Sequence, residues 1–296
     1  MTPASSISEA GRVREGTPAP GPRRARVPVA RSVLGLAMLL LFLFPVYWMI
    51  STSLKTGSEI LTYPPHWVPW SPTLASYRDR VLSNISFLRY LRNSTIVGLG
   101  TTVLSLALAA PAAYALARFR IRGRLLVLLL SLTTLFFPGV MLALPLFVIF
   151  SKLGLINSYL GLIIANSAIN VPFSVVVLRP AFLSIPPELT EAAQIDGCSR
   201  WSAFFRIVLP LARPGLATAG IFAFLGGWND LVFALSFANR DTYQPVTAGI
   251  WSYISNTRTD WATAMAYSTL AMVPTLIVFV FAQRFIVSGL VSGSVK

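Results

Sequence analysis

Long uncharged, apolar stretches alternate with short polar or basic segments along this chain. Each stretch is long enough for a helix to cross the hydrocarbon core of a bilayer, which takes roughly 20 residues. The pattern predicts an all-α, polytopic membrane protein with six transmembrane helices, the fifth of which contains one charged residue, Asp230. The predicted spans are 32–54, 93–117, 125–151, 153–178, 214–239 and 261–283.

The composition agrees with a chain that lies in a lipid bilayer. Hydrophobic residues make up 55% and charged residues only 11% of the 296 residues, whereas soluble domains are about a quarter charged. The net charge of +14 is segregated, because sixteen of the twenty-four Lys and Arg residues fall on one side of the predicted bundle. The positive-inside rule then places both termini in the cytoplasm of a multi-pass cell-membrane protein. Basic residues that flank spans in this way indicate no nucleic-acid partner.

Cysteine and histidine are too scarce for disulfide or metal chemistry. Cys198 is the single cysteine, which excludes an internal disulfide, and His66 is the single histidine, which we interpret as a structural residue. We therefore expect no metal, no cofactor and no catalytic residues in this chain.

The segments outside the apolar stretches differ in character. Residues 1–31 are rich in Pro, Gly, Ser and Arg and predict a disordered cytoplasmic tail. Residues 32–92 comprise the first transmembrane helix and an external loop, whose prolines and aromatic residues predict an irregular but packed cap. Residues 289–296 form a C-terminal cytoplasmic tail.

Several polar or helix-weakening residues lie at membrane depth. Pro138, Gly139 and Pro145 interrupt the third span, either to line a pathway or to kink the helix for packing. Two asparagines occupy one face of the fourth span, and a Trp-Asn-Asp triplet lies in the fifth. These groups either contact a hydroxylated substrate or join neighbouring helices. The candidate pathway residues are Asn166, Asn170, Trp228, Asn229 and Asp230.

The loop between the fourth and fifth spans predicts two short helices. Pro187 suits a helix entrance, Gly197 a left-handed C-terminal cap, and Ser199 the N-cap of a second helix that ends at Pro210. The apolar residues of this loop exceed what a solvated loop carries, so the bundle or a partner must cover them. They include Ala192, Ala193, Ile195, Trp201, Phe204, Phe205 and Val208.

The spacing of this loop carries a family resemblance. An EAA triplet is followed by a glycine after three residues and by Ile-x-Leu-Pro after nine more. This pattern resembles the EAA motif of permease subunits of ATP-binding-cassette (ABC) importers, in particular the shorter permease of the maltose-type carbohydrate branch. The motif residues are Glu191, Ala192, Ala193, Gly197, Ile207, Leu209 and Pro210.

The resemblance implies a type I ABC importer fold with its core at 93–288 and a coupling element at about 184–210. The expected partners are a second permease subunit, an ABC ATPase dimer, an extracytoplasmic solute-binding protein and a sugar substrate. Glu191 would contact a basic group on the ATPase, Ala192 and Ala193 would permit close approach, and Gly197 would make the turn between the helices. Residues 292–296 would provide a second contact, and Cys198 replaces the alanine common after the motif glycine.

The sequence also bears on which polypeptide hydrolyses ATP. None of its three lysines follows a glycine, so no GxxxxGK phosphate loop exists and ATP hydrolysis is expected on a separate subunit. The alternative is a secondary transporter driven by ions through Asp230, but no inverted repeat is evident. An intramembrane enzyme is disfavoured because neither HExxH nor paired aspartates are present.

Overall fold

The computed structural model describes residues 29–254 and 259–294. The described residues belong to two units, which are divided between Val46 and Tyr47. Within the described ranges the regular structure is helical and contains no strand. The long helices are α1 (Val29–Ser53), α3 (Ile85–Arg118), α6 (Tyr159–Leu183) and α13 (Trp261–Ser294).

Shorter helices connect or interrupt the long ones. A π-helical turn at Ser76–Leu82 precedes α3, another at Phe204–Val208 follows α8, and 3₁₀ turns lie at Asp241–Tyr243 and Ile250–Tyr253. The remaining helices are α2 (Gly57–Ile60), α4 (Arg124–Thr134), α5 (Gly139–Lys152), α7 (Glu188–Ile195), α8 (Arg200–Ala203), α9 (Leu209–Leu211), α10 (Arg213–Asn229), α11 (Val232–Phe237) and α12 (Val246–Gly249).

The predicted number of six spans matches the upper count of membrane-length segments. Four described helices are long and apolar enough to cross a bilayer by themselves. Two further pairs of helices pass the same test of length and composition together, although each pair is bent: α4 with α5 by 98°, and 200–211 with α10 by 80°. In the second pair only α10 falls in a predicted span. The first break is the one that Pro138 and Gly139 predict, because α5 starts directly after Pro138, whereas Pro145 lies inside α5 without ending it.

Helices α3, α6 and α10 form the centre of the larger unit. Ala109, Ala113 and Ala219 are fully buried where the three helices meet. Gly98 of α3 lies against α10, where a Cβ atom at this position would come within 2.9 Å of the Phe224 ring. Small residues therefore let these helices approach closely, which is how helices associate in lipid.

Several predicted boundaries are shifted in the structure. α1 begins at Val29, so the last three residues of the predicted tail are helical, while 1–28 lie outside the described residues. α6 begins at Tyr159 and not at 153, because Gly154 and Asn157 adopt positive φ angles of 70° and 57° and form a turn. Ser158 then caps the N-terminus of α6. α13 continues to Ser294, so most of the predicted C-terminal tail is helical.

The loop between α1 and α3 is packed only in part, because its aromatic residues Tyr63, Trp67 and Trp70 are 96%, 64% and 77% exposed, which differs from the predicted packed cap. Lys55 is 3% exposed and Glu59 is 9% exposed. The Lys55 ammonium donates to the carbonyl oxygen of His66 and lies 4.6 Å above the Trp48 ring. His66 stacks on Trp70 at 4.0 Å between ring centroids. The described residues contain no group of three or more His, Cys, Asp or Glu side chains that could hold a metal ion.

Candidate coupling surface and ligand cavity

The EAA segment folds into two short helices at the end of α6. α7 begins after Pro187 and ends in a tight reversal, in which Gly197 has a φ of 89° and Cys198 donates its N–H to the Ala193 carbonyl at 2.9 Å. Ser199 caps α8 by accepting the Ser202 N–H at 3.1 Å. The predicted entrance, reversal and cap are all confirmed.

Pro210 is not the end of the second helical segment. The chain passes from α8 through a π-helical turn into α9, in which Pro210 occupies the first turn, and bends only at Ala212 before α10. Pro210 fits there because the first turn of a helix leaves its N–H groups without intrahelical partners. The segment therefore ends one or two residues later than predicted.

The apolar residues of this segment separate into two faces. The inner face is buried and packs on α3 and α6, where the Phe204 ring lies 5.0 Å from that of Tyr114 and 6.3 Å from that of Phe182. The outer face is exposed, with exposed fractions of 86% for Ile195, 65% for Trp201 and 60% for Phe205. The inner face comprises Ala193, Ala203, Phe204 and Val208, and the outer face comprises Glu191, Ala192, Ile195, Trp201 and Phe205.

The buried face fixes the segment to the membrane helices. The Arg118 guanidinium, at the end of α3, donates to the Ile185 carbonyl oxygen at the entrance of the segment. Thr190 secures the first turn of α7 through a 2.8 Å hydrogen bond to the Pro187 carbonyl. The segment is therefore joined to α3 and α6 by direct contacts. The sequence analysis did not single out Arg118, although a basic residue at a helix C-terminus is a recognisable signal.

The outer face, here called the coupling surface, also carries charge. Glu191 is exposed in the first turn of α7, and among the described residues no ion pair within 4 Å involves it. Ala192 beside it is exposed and small. An exposed carboxylate surrounded by apolar side chains is suited to a protein partner with a basic group in an apolar cleft.

The EAA residues nevertheless do not all lie on the coupling surface. Ala193 is only 6% exposed and faces the bundle, and the three residues of the Ile-x-Leu-Pro end are partly buried. Their contacts hold the segment in place, since Leu209 packs against the buried cluster around Phe204.

A cavity of about 360 Å³ lies between α10, α12 and α13. Trp228 and Asn229 line it, as two of the five candidate pathway residues, and Trp228 stacks on Phe224 at 5.5 Å. Hydroxyl groups from four other residues complete a lining that mixes aromatic and polar groups. These four residues are Thr247, Tyr267, Ser268 and Thr275.

The sequence analysis missed the α13 side of this cavity. Ser268, Ala271, Met272 and Thr275 line it at spacings of i, i+3, i+4 and i+7, which is one face of a helix. The hydroxyl groups of Ser268 and Thr275, on an otherwise apolar span, are a signal that could have been read from the sequence.

The other three candidates form a separate hydrogen-bonded group. Asn166 donates to Asp230 with 3.4 Å between Nδ2 and Oδ2, and Asn170 donates to the Asn166 carbonyl at 2.8 Å. Asp230 lies at the break between α10 and α11 and not within a continuous helix. None of the three lines the cavity between α10 and α13, so the structure brings only Trp228 and Asn229 to it.

Comparisons with known proteins agree with this architecture. Residues 105–291 match the family model described as "Binding-protein-dependent transport system inner membrane component". The permease protein SmoH of the sulfoquinovosyl glycerol transport system of Agrobacterium fabrum is 38% identical, with 90% of this chain and 93% of SmoH covered. MalG of the trehalose/maltose transport system of Thermococcus litoralis is 34% identical over 88% of this chain and 94% of MalG.

A solved structure supports the fold. A chain of a bacterial ABC transporter involved in import of the acidic polysaccharide alginate superposes with a TM-score of 0.74 at 24% identity, covering 86% of this chain and 95% of that one. The similarity confirms the type I importer fold. Nothing in these comparisons supports an ion-coupled transporter or an enzyme. The chain belongs to the family of binding-protein-dependent inner membrane components, the multi-pass permease subunits of ABC importers in which a separate subunit hydrolyses ATP.

Proposed function

We propose that this chain is the permease subunit that imports a sugar or oligosaccharide and that its coupling surface is the ATPase contact. An ABC ATPase dimer drives transport, a second permease completes the pathway, and an extracytoplasmic binding protein delivers the sugar. The division of the coupling segment into a buried face and an exposed face carries the assignment. ATPase movement at the exposed face is passed to α3 and α6 through Phe204, Val208 and Arg118.

The residues of the EAA motif have distinct roles in this proposal. Glu191 pairs with a basic group of the ATPase, and Ala192 permits close approach beside it. Ala193 packs the helix onto the bundle, and Gly197 makes the reversal that sets the angle between α7 and α8. Ile207, Leu209 and Pro210 connect the segment to α10, so that its displacement moves the wall of the cavity. The coupling element then extends over about 184–210, within a core at 93–288.

The cavity between α10, α12 and α13 is the part of the sugar pathway that this chain supplies. Its volume falls in the range of small-molecule sites, about 300–1,000 Å³. The Trp228 indole offers an apolar face to a sugar ring, and Asn229 and Thr247 offer amide and hydroxyl groups to its hydroxyls. SmoH, MalG and the diacetylchitobiose permease DasC of Streptomyces coelicolor, which is 32% identical, are all named for carbohydrate-derived compounds.

The membrane orientation follows from the distribution of basic residues. Both termini lie in the cytoplasm, because this orientation places the coupling segment and most Lys and Arg residues on the cytoplasmic side. The loop between α1 and α3 is then extracytoplasmic. Cysteine substitution at Asp79, in that loop, and at Glu188, in α7, tests this with a membrane-impermeant thiol reagent in a Cys198→Ser background. Intact cells should label only the variant at Asp79, and labelling of the variant at Glu188 would reverse the orientation.

The function is tested with the complete transporter in proteoliposomes. Glu191→Lys should lower ATP-driven sugar uptake and binding-protein-stimulated ATPase activity at least tenfold, because it opposes a basic partner at the interface, while membrane insertion stays normal. Asp79→Lys makes the same charge change on an exposed residue at the opposite end of the bundle and should leave both activities unchanged. Wild-type coupling in the Glu191→Lys transporter would overturn the assignment.

A further inference from the structure

A second cavity lies in the cap formed by the loop between α1 and α3. This cap cavity has a volume of about 340 Å³ and shares no lining residue with the cavity between α10 and α13. Its walls come from the end of α1, from α2 and from the start of α13. The lining residues that the argument uses are Trp48, Thr52, Lys55, Glu59, His66 and Trp261.

Two polar side-chain atoms of residues that line the cap cavity are buried and make no hydrogen bond. Thr52 is 6% exposed and Lys55 only 3%. Neither the Oγ1 atom of Thr52 nor the Nδ1 atom of His66 makes a hydrogen bond, although both atoms are buried and His66 Nδ1 lies 3.7 Å from the Glu59 carboxylate. Buried polar side-chain atoms nearly always have a partner, since leaving one unpaired costs about 1–3 kcal/mol. Two unpaired atoms on one cavity therefore indicate that a polar guest belongs there.

The frame around these atoms is already ordered. The Glu59 carboxylate accepts the Trp70 N–H at 2.7 Å, and the His66 ring stacks on the Trp70 ring. Lys55 is held by the His66 carbonyl oxygen and by the face of Trp48. A guest would enter a site whose side chains need little reorganisation, which favours binding.

The lining defines the chemistry of the guest. Lys55 and Glu59 bring one charge of each sign, so the pair favours neither an anion nor a cation. Trp48 and Trp261 provide aromatic surface, while Thr52 and His66 provide hydrogen-bonding groups. Apolar ring faces and hydroxyl groups together are the features of an uncharged sugar, and the volume suits a mono- or disaccharide.

The cap cavity has an approach from outside. A wider cavity of about 790 Å³ adjoins it and shares Lys55, Ile60, Leu61 and Trp261 with its lining. Arg80 and Asp260, which both line this wider cavity, form an ion pair. The ion pair joins the π-helical turn before α3 to the start of α13. A sugar can thus reach Thr52 and His66 through the wider cavity.

We propose that the cap cavity is a binding site for an uncharged mono- or disaccharide, separate from the transmembrane cavity. The inference rests on the proposed function, which supplies the sugar and the extracytoplasmic orientation. Sugar released by the binding protein would be held at Trp48, Thr52, His66 and Trp261 before it enters the membrane pathway. The site would raise the local concentration of substrate at the mouth of the transporter.

The complete transporter in lipid nanodiscs, without binding protein, tests the proposal by saturation-transfer NMR with trehalose, maltose and N,N′-diacetylchitobiose as probes. At least one probe should bind the wild type. The double variant Thr52→Val, His66→Phe removes both unpaired groups while keeping side-chain size and the ring stack, and should raise the dissociation constant about tenfold or more. Thr95→Val is the matched control, because the Thr95 hydroxyl already bonds the Leu91 carbonyl on exposed α3 surface.

Asn229→Ala weakens the transmembrane cavity and provides a second background for the same test. Adding Thr52→Val and His66→Phe to Asn229→Ala should still raise the dissociation constant about tenfold, because the cap cavity does not include Asn229. Binding that is equal in wild type and double variant, or that is absent for all three sugars, would overturn the cap site. ATP-driven uptake with the binding protein is measured on the same preparations. If the transporter takes up sugar but the cap cavity does not bind it, only the cap site is refuted. If ATP hydrolysis is coupled but no sugar is taken up, the proposed function is refuted.

Discussion

Asn166 and Asp230 join α6 to the break between α10 and α11, with 3.4 Å between the amide nitrogen and the carboxylate oxygen. The same carboxylate accepts the backbone N–H groups of Phe233 and Ala234, each at 3.1 Å. Asp230 therefore caps α11 and ties it to α6, and both of its oxygens are engaged. This geometry favours a structural role over an ion-binding one.

Substitution of Asp230 separates these two roles. Asp230→Ala removes the cap and should lower the free energy of unfolding by about 1 kcal/mol, the usual value of an N-cap. Asp230→Asn keeps a side-chain oxygen that can accept one capping N–H, so it should retain most of the stability and most of the ATP-driven uptake. Thermal unfolding of the purified transporter and uptake into proteoliposomes measure the two effects.

The ion-coupled alternative predicts a different outcome at the same residue. If an ion travelled through Asp230, Asp230→Asn would abolish uptake even where the protein is as stable as wild type. Asp79→Asn is the matched control, since Asp79 is exposed in the loop between α1 and α3. Loss of uptake in the first variant alone would contradict the capping role.

Gly226 makes a second contact between α6 and α10. A Cβ atom at this position would lie 2.6 Å from both terminal atoms of the Asn170 amide, which is closer than side chains approach. Gly226→Ala should therefore force the helices apart and lower the unfolding temperature. Asn170→Ala removes the obstructing amide, so the double variant should be more stable than Gly226→Ala alone. A double variant that stays as unstable as Gly226→Ala would refute this contact.

These contacts explain why the sequence analysis could place Asn166 and Asn170 without assigning their role. Their spacing of four residues shows that they share a helix face, but it does not show which neighbour that face meets. Asp230 is 64 residues from Asn166 along the chain. Only the packing of α6 on α10 brings the two together and leaves Asn229 and Trp228 at the cavity.

Local signals, in contrast, predicted the coupling segment almost residue by residue. The reversal at Gly197 and the cap at Ser199 depend on backbone conformation and on neighbours within five residues, which a sequence displays directly. The end of the second helical segment was misplaced because Pro210 is compatible with a helix start as well as with a helix end. The packing of the segment on α3 and α6 decides which of its apolar residues face the bundle. A local sequence pattern does not contain this information.

Gly197 provides a test of the reversal. Its φ of 89° lies in the left-handed region, and space around it is open, so a Cβ atom would add backbone strain without a steric clash. Gly197→Ala should cost roughly 1–2 kcal/mol of local stability and reduce binding-protein-stimulated ATPase activity, because α7 and α8 would lose their relative angle. Gly57→Ala is the matched control, since Gly57 also has open space but does not have a left-handed φ. Equal ATPase activity in both variants would show that the angle is unimportant.

The ion pair between Arg80 and Asp260 makes the stability of the external cap depend on pH. Burial alone would raise the pKa of the Asp260 carboxyl, but hydrogen bonds from Thr263 and the Arg80 guanidinium outweigh it and hold the pKa below its ordinary value of 3.8. A carboxyl whose pKa is lower in the folded state stabilises the fold above its unfolded pKa, and that stabilisation is lost as pH falls through the folded pKa.

The difference in unfolding temperature between wild type and Asp260→Asn measures the stabilisation by the ionised Asp260 carboxylate. At pH 6 wild type should unfold at the higher temperature, because the ionised carboxylate pairs with Arg80. The difference should shrink as the pH is lowered below 3.8 and vanish once Asp260 is protonated in the folded protein. The Asp79 carboxylate is well exposed beside Arg78, so Asp79→Asn should change the unfolding temperature little at either pH. A wild-type advantage that persists unchanged at low pH would mean that the ionised pair does not hold the start of α13 to the cap.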